Sequence, residues 1–229
     1  GHGVRSGIHW AQARFNAAVR WRPGQQFQFQ QRGVAIFQDG VVGIEQAIVQ
    51  TAVNLVGAKT IESQGRRISY DCAGVTRAIY LAHGIDLFEG GAADGKANGV
   101  GLIYNHLRKH GQLHRGPVVQ AGDLVFFNNT WDYNGDSLVN DPLTHVGIVE
   151  RVESNGTIVF ISRVAGAIER YRMNVAHPHI HRTADGRLLN DYMRRKHWRD
   201  GEQTPYLTGE LFAAFGTRVV ESASSPDRR

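Results

Sequence analysis

Hydrophobic positions along the chain follow a helical period first and gather into short apolar runs later. Ile44, Ala47, Ile48, Ala52, Val53 and Val56 recur every 3.6 residues or so, which predicts a helix over 44–56 ended by Gly57. Val75, Ile79 and Ala82 lie on one face of a second helix over 72–83, with Asp71 at its N-cap position and Gly84 after it. The glycine-rich stretch 86–101 reads as a loop, and 102–109 as a third helix closed by Gly111. Beyond Pro117 the pattern changes. Leu124–Phe127 is a short apolar strand behind Gly122-Asp123, and 128–142 is a polar loop holding Trp131 and Tyr133. His145–Val152 and Thr157–Val164 read as strands joined at Asn155-Gly156, a favoured two-residue hairpin turn. Ala165-Gly166 turns the chain into a further strand over 168–173. Helices followed by an antiparallel meander predict an α+β fold.

The ends carry weaker patterns. Residues 1–40 read as an N-terminal extension packed on the core, with a short helix over 8–19, a break at Pro23-Gly24 and a half-buried strand over 25–31. Residues 41–216 form the main domain, closed by two short helices over 188–196 and 207–215. Residues 217–229, rich in Ser, Pro and charge, read as a flexible tail. No internal repeat and no linker between two cores is visible.

Composition narrows the chemistry. A chain of 229 residues with 41% hydrophobic and 21% charged residues has a globular composition and can bury a core without staples. The formal charge of +5 suits an anionic polymer or surface, but the Arg pairs 66–67, 194–195 and 228–229 are scattered without a nucleic-acid motif and read as ordinary solvated surface. No apolar run reaches the roughly 18–20 residues a membrane helix needs. Gly1-His2-Gly3 lacks a signal-peptide pattern, and Gly1 in place of Met reads as a trimmed or processed start. One cysteine, Cys72, excludes an intramolecular disulfide and a four-cysteine metal site. The run His177-Pro178-His179-Ile180-His181 looks metal-like, but Pro178 and the lack of adjacent acids favour a structural loop. Gly90–Lys96 lacks the phosphate-loop spacing. No cofactor and no metal is called for.

Cys72 falls in the first turn of its helix, where free N–H groups and the helix dipole favour a thiolate. His145, first in its strand, is the best candidate to take the thiol proton, and Gly147 two residues on leaves room beside it. The words around them add to this. Tyr70-Asp71-Cys72-Ala73-Gly74-Val75 resembles the "DCSG[L/V]" element of the NlpC/P60 cysteine peptidases. Ala121-Gly122-Asp123-Leu124-Val125-Phe126-Phe127 resembles that family's "pGDLvFF", and Thr144-His145-Val146-Gly147-Ile148-Val149 its "HVGIy". The order is also the family's, over about residues 44–175. The CHAP amidases and peptidases share a similar vocabulary.

The resemblance implies a papain-like fold and cleavage of an amide or peptide bond in bacterial cell-wall peptidoglycan, outside the cytoplasm. By position, Cys72 is the nucleophile and His145 the base. The family's third polar residue, often His, is matched by Ser162 in Val159-Phe160-Ile161-Ser162-Arg163, a shorter and neutral partner; Asn140 is an alternative third residue. The aromatic segment that lines the cleft in many relatives is replaced by Gly57-Ala58-Lys59-Thr60-Ile61-Glu62, so the pocket is expected to differ. Tyr70 and Asp71 are candidates for the cleft and oxyanion region, with the Cys72 N–H as first oxyanion donor, and Trp131 for stacking on a sugar or peptide. Peptidoglycan or its peptides are the expected partner, with an inhibitor or immunity protein as a further one. A binding module with a degenerate peptidase fold is the alternative to an enzyme.

Overall fold

The computed structural model describes residues 16–20, 28–32, 43–63, 66–91, 98–116 and 118–219. In chain order the elements are β1 (Asn16–Arg20), β2 (Gln28–Arg32), α1 (Ile44–Asn54), β3 (Glu62–Ser63), β4 (Arg66–Arg67), α2 (Cys72–Leu81), α3 (Gly99–His110) and β5 (Gln112–His114). They are followed by β6 (Leu124–Phe127), β7 (His145–Val152), β8 (Ile158–Val164), β9 (Ala167–Met173), α4 (Thr208–Leu211) and β10 (Phe212–Thr217). Helices and an antiparallel sheet segregate along the chain, an α+β arrangement. The six-stranded sheet has the order β5-β10-β6-β7-β8-β9. The β1–β2 and β3–β4 pairs are separate two-stranded ribbons that share no hydrogen-bonded ladder with it.

Side-chain alternation divides the core between the two faces of the sheet. Leu124 and Phe126 of β6, with Val146 and Ile148 of β7, pack with Ile48, Val75, Ile79 and Ile103 of the helices. Val125 and Phe127 instead join Val149, Phe160, Met193 and Phe215 in a second cluster. All four residues of β6 are buried, as expected for a strand covered on both faces. Tyr80 is fully inside, and its hydroxyl donates to the Gly122 carbonyl at 2.5 Å, tying α2 to the turn that starts β6.

Several expectations need correction. Residues 16–19 belong to a strand paired with β2, not to a helix, while the rest of the expected helix lies outside the described residues. The third helix starts at Gly99 rather than 102. Asn98 caps it by accepting the Gly101 N–H at 2.8 Å, and Gly99 is required because a Cβ there would sit 2.7 Å from the Ala73 Cβ on α2. Gly99, one of the glycines that suggested a loop, is thus a packing residue. In the β7–β8 connection the Gly156 N–H bonds the Glu153 carbonyl at 3.0 Å, and Gly156 alone takes positive φ, +86°. The loop is therefore a turn followed by a left-handed glycine, one residue longer than a two-residue hairpin.

The C-terminal region departs most. The expected helix over 207–215 is helical only at Thr208–Leu211; Phe212–Thr217 then enters the sheet between β5 and β6. Gly216 allows this close approach, since a Cβ there would lie 2.2 Å from Leu107 Cδ1. The sheet's open edge at β6 outweighs a run whose apolar spacing also fits a helix. Thr217 is thus in the sheet, and the Arg218 Nε donates to His106 Nε2 at 2.9 Å, so the fold extends past 216; residues 220–229 lie outside the described residues. The expected helix over 188–196 is irregular chain. Fully buried Asn190 donates to the His177 and Ile180 carbonyls and accepts the Asn174 N–H, holding that stretch against its neighbours instead.

Candidate functional site

The α2 start is built by its neighbours. Asp71 Oδ1 accepts the Gly74 N–H at 2.7 Å, and its Oδ2 accepts the Ser69 hydroxyl at 2.6 Å, so Asp71 is the N-cap. This places Cys72 in the first helical turn, partly covered, on the wall of a cleft of about 650 Å³. The same cleft is lined by His145, Asn98, Trp131, Arg163 and Tyr192. The sulfur is set deep enough that burial pushes the thiol up to about 11. The backbone N–H groups of Val146 and Ala73 act the other way and favour the thiolate, as does the Arg163 charge.

His145 opens β7 and is buried. Its Nε2 lies 2.7 Å from Ser162 Oγ on β8, and that hydroxyl donates its own proton to the Val146 carbonyl at 2.7 Å. The hydroxyl oxygen must therefore accept from Nε2–H, which leaves the Nδ1 lone pair as the ring's basic site. Ser162 is thus the residue that holds the far nitrogen of the His145 ring. Gly147 makes room for it: a Cβ there would meet Phe160 Cδ2 at 2.8 Å and Ser162 Cβ at 3.1 Å. The space beside the glycine belongs to β8 rather than to the imidazole.

Burial first, and the Arg163 charge second, hold the imidazole down at about 4. Near neutral pH the ring is therefore an unprotonated base. If it acts in that form, kcat/KM rises on an acid limb near pH 4 and stays level through pH 7. A limb near the ordinary histidine value of about 6.5 would contradict this placement. Ser162→Ala removes the acceptor of Nε2–H and leaves the Val146 carbonyl short of a donor. If the ring serves as a catalytic base, kcat/KM is expected to fall about tenfold, matching the loss of one buried hydrogen bond. An unchanged rate in a stopped assay would show that Ser162 does not orient the ring.

The other candidates are distributed differently. Trp131 lies on the cleft wall, 41% exposed, with its ring 5.0 Å from Tyr133 in an edge-on pair. The Tyr70 hydroxyl donates to the Ala58 carbonyl, so its proton is committed away from an oxyanion. Its ring instead lies under the Arg163 guanidinium, 5.1 Å from centroid to carbon. Asn140 bonds Asp136 Oδ2 within the 128–142 loop and does not serve His145. That loop is closed at its base by Thr144 Oγ1, which accepts from both the N–H and the hydroxyl of Thr130, at 2.9 and 2.7 Å. His145 follows directly from this clasp.

Two of the three histidines of 177–181 have separate ring partners: Nδ1 of His179 faces Glu210, and Nδ1 of His181 faces the Asn190 carbonyl. Among the described residues, no group of three or more His, Cys, Asp or Glu side chains is placed to hold a metal ion. Residues 92–97, which hold most of the stretch weighed as a phosphate loop, lie outside the described residues. Arg194 is not solvated surface. It is 5% exposed, bonds the Asn129 carbonyl and pairs with Asp200 at 3.2 Å. No helix among the described residues is long and apolar enough to cross a membrane.

Arg163, Asn98 and Tyr192 were missed as cleft residues. Asn98 could have been found as a cap signal before an amphipathic run. Arg163 follows the third-position serine, but a charge near a strand end reads as solvent-facing. No family model matches the chain, and no curated protein matches it.

Proposed function

We propose that this chain is a cysteine hydrolase of papain-like fold, similar to the NlpC/P60 group, that cleaves an amide or peptide bond in bacterial peptidoglycan. The observation that carries the reading is a single cleft lined by a helix-start cysteine and a buried histidine whose far nitrogen is fixed by Ser162. The three sequence words around Cys72, Asp123 and His145 support the substrate class. An extracytoplasmic setting follows from that substrate.

In this reading the resting pair is a neutral thiol and a neutral imidazole. His145 takes the thiol proton at Nδ1 as sulfur attacks the carbonyl carbon. The oxyanion meets the free Cys72 N–H of the first helical turn, with Asn98 on the cleft wall as a side-chain donor. His145 then protonates the leaving amine and activates the water that releases the acyl group. Trp131 and Tyr133 provide a stacking edge for a sugar or peptide.

Digestion of purified peptidoglycan, read by mass spectrometry, tests this against the binding-only alternative. New fragments from the chain, absent with Cys72→Ala, are expected, and their masses identify the bond. Equal fragment patterns from both forms, or none from either on amidated and non-amidated walls, would overturn it.

A further inference from the structure

We propose that Arg163 forms a carboxylate-binding subsite beside Cys72, so that the preferred substrate carries a free carboxylate close to the scissile amide. This rests on the reading of Cys72 as an acyl-transfer nucleophile and adds the charge of the group it acts on.

Arg163 is the residue after Ser162, near the end of β8, and lines the cleft with Cys72 and His145. Its guanidinium lies over the Tyr70 ring, and that ring is anchored through its hydroxyl to the Ala58 carbonyl. The cation is therefore held by a fixed platform rather than swinging from the surface. Arg77, Arg151, Arg170, Arg172 and Arg194 each have a carboxylate within ion-pair distance, whereas no ion pair involves Arg163 among the described residues. Its Nε is buried without a hydrogen-bond partner. A buried guanidinium N–H lacking an acceptor is costly unless something supplies one.

No carboxylate of the cleft makes an ion pair with Arg163 among the described residues. Asp71 is the one carboxylate on the cleft wall among the described residues, and both of its oxygens are engaged at the helix cap. Arg195 adds a second cleft arginine without an ion pair. The electrostatic influence of Arg163 reaches both reacting groups, lowering the affinity of Cys72 and of His145 for protons. An anion seated on Arg163 would therefore share the cleft with the sulfur. A carboxylate fits because the guanidinium fork matches its two oxygens, and because peptides carry it within a bond or two of their amides.

Alkylation tests the subsite without requiring any wall substrate. Iodoacetate and iodoacetamide react alike: sulfur bonds to the CH2 carbon, iodide leaves, and the thiol proton passes to His145. They differ in one having a carboxylate and the other a neutral amide. The ratio of their rates at Cys72, divided by the same ratio for glutathione, cancels any change in thiol acidity. At low salt this ratio is expected to be about tenfold higher in the unmutated chain than in Arg163→Gln, with Arg163→Lys between them. It should also fall as sodium chloride is raised in the unmutated chain, a readout that needs no variant to fold. Equal ratios in the unmutated chain and Arg163→Gln, or an unmutated ratio at the glutathione value and flat with salt, would overturn the proposal. A failed wall digest with a high, Arg163-dependent ratio removes the hydrolase reading but retains the subsite. A successful digest with a flat ratio does the reverse.

Discussion

Replacing Cys72 with Ala is expected to lower amide hydrolysis by about 10⁴-fold or more, and His145→Ala by a similar factor, because each removes one half of a unit that acts together. The double variant should lose no more than the worse single one. Fold and activity separate clearly at Cys72. Its side chain is only partly covered and its thiol is disfavoured in the charged form by burial, so truncation costs about 1 kcal/mol or less, roughly 2–4 °C in unfolding midpoint. Calorimetry beside a wall-digestion assay checks both halves. Activity surviving in either single variant would place the chemistry elsewhere, and a large midpoint drop in Cys72→Ala would contradict the separation of fold from activity.

Gly74→Ala should be the most damaging of the conservative changes near the site. A Cβ at this position would lie 1.9 Å from the Ser69 carbonyl oxygen and 2.9 Å from its carbon, both backbone atoms. The chain segment that brings Asp71 to its capping position cannot yield without losing the Asp71–Gly74 bond. A loss of about 3 kcal/mol is expected, the upper end of overpacking costs. For a chain of this size that is a fall of roughly 6–12 °C in midpoint, with activity reduced because Cys72 sits in the displaced turn. Gly57→Ala is the comparison. Gly57 has positive φ, +84°, but nothing within 4 Å of an added Cβ, so only left-handed strain of about 1 kcal/mol applies. Equal midpoints for the two variants would show that the close Ser69 contact does not govern α2.

Which parts of this arrangement were readable in the chain depended on how many local signals agreed. The β6–β9 meander was legible because its short apolar runs and the glycines of its later turns pointed the same way. The α2 start was legible because a capping Asp preceded a helical period. Phe212–Thr217 was not, since its spacing fits both helix and strand and only the vacancy between β5 and β6 selects the strand. Residues 188–196 were misread because buried Asn190 and Arg194 satisfy carbonyls of distant segments, a use of polar side chains that periodicity does not register. At the site, Cys72, His145 and Ser162 were named from local words, and the structure brings Cys72 and His145 to one cleft with Ser162 bonded to the ring. The roles of Arg163 and Tyr70 depend on two segments stacking across the cleft wall, which nothing in either segment announces.

The presence of one cysteine in the whole chain allows a direct test of the central claim. The chain is labelled with increasing amounts of iodoacetamide, the label per molecule is read by intact mass, and the remaining peptidoglycan digestion is measured at each step. Digestion should fall in proportion to labelling and reach zero at one label per chain. A fully labelled chain that still releases wall fragments would contradict the assignment of Cys72 as the nucleophile.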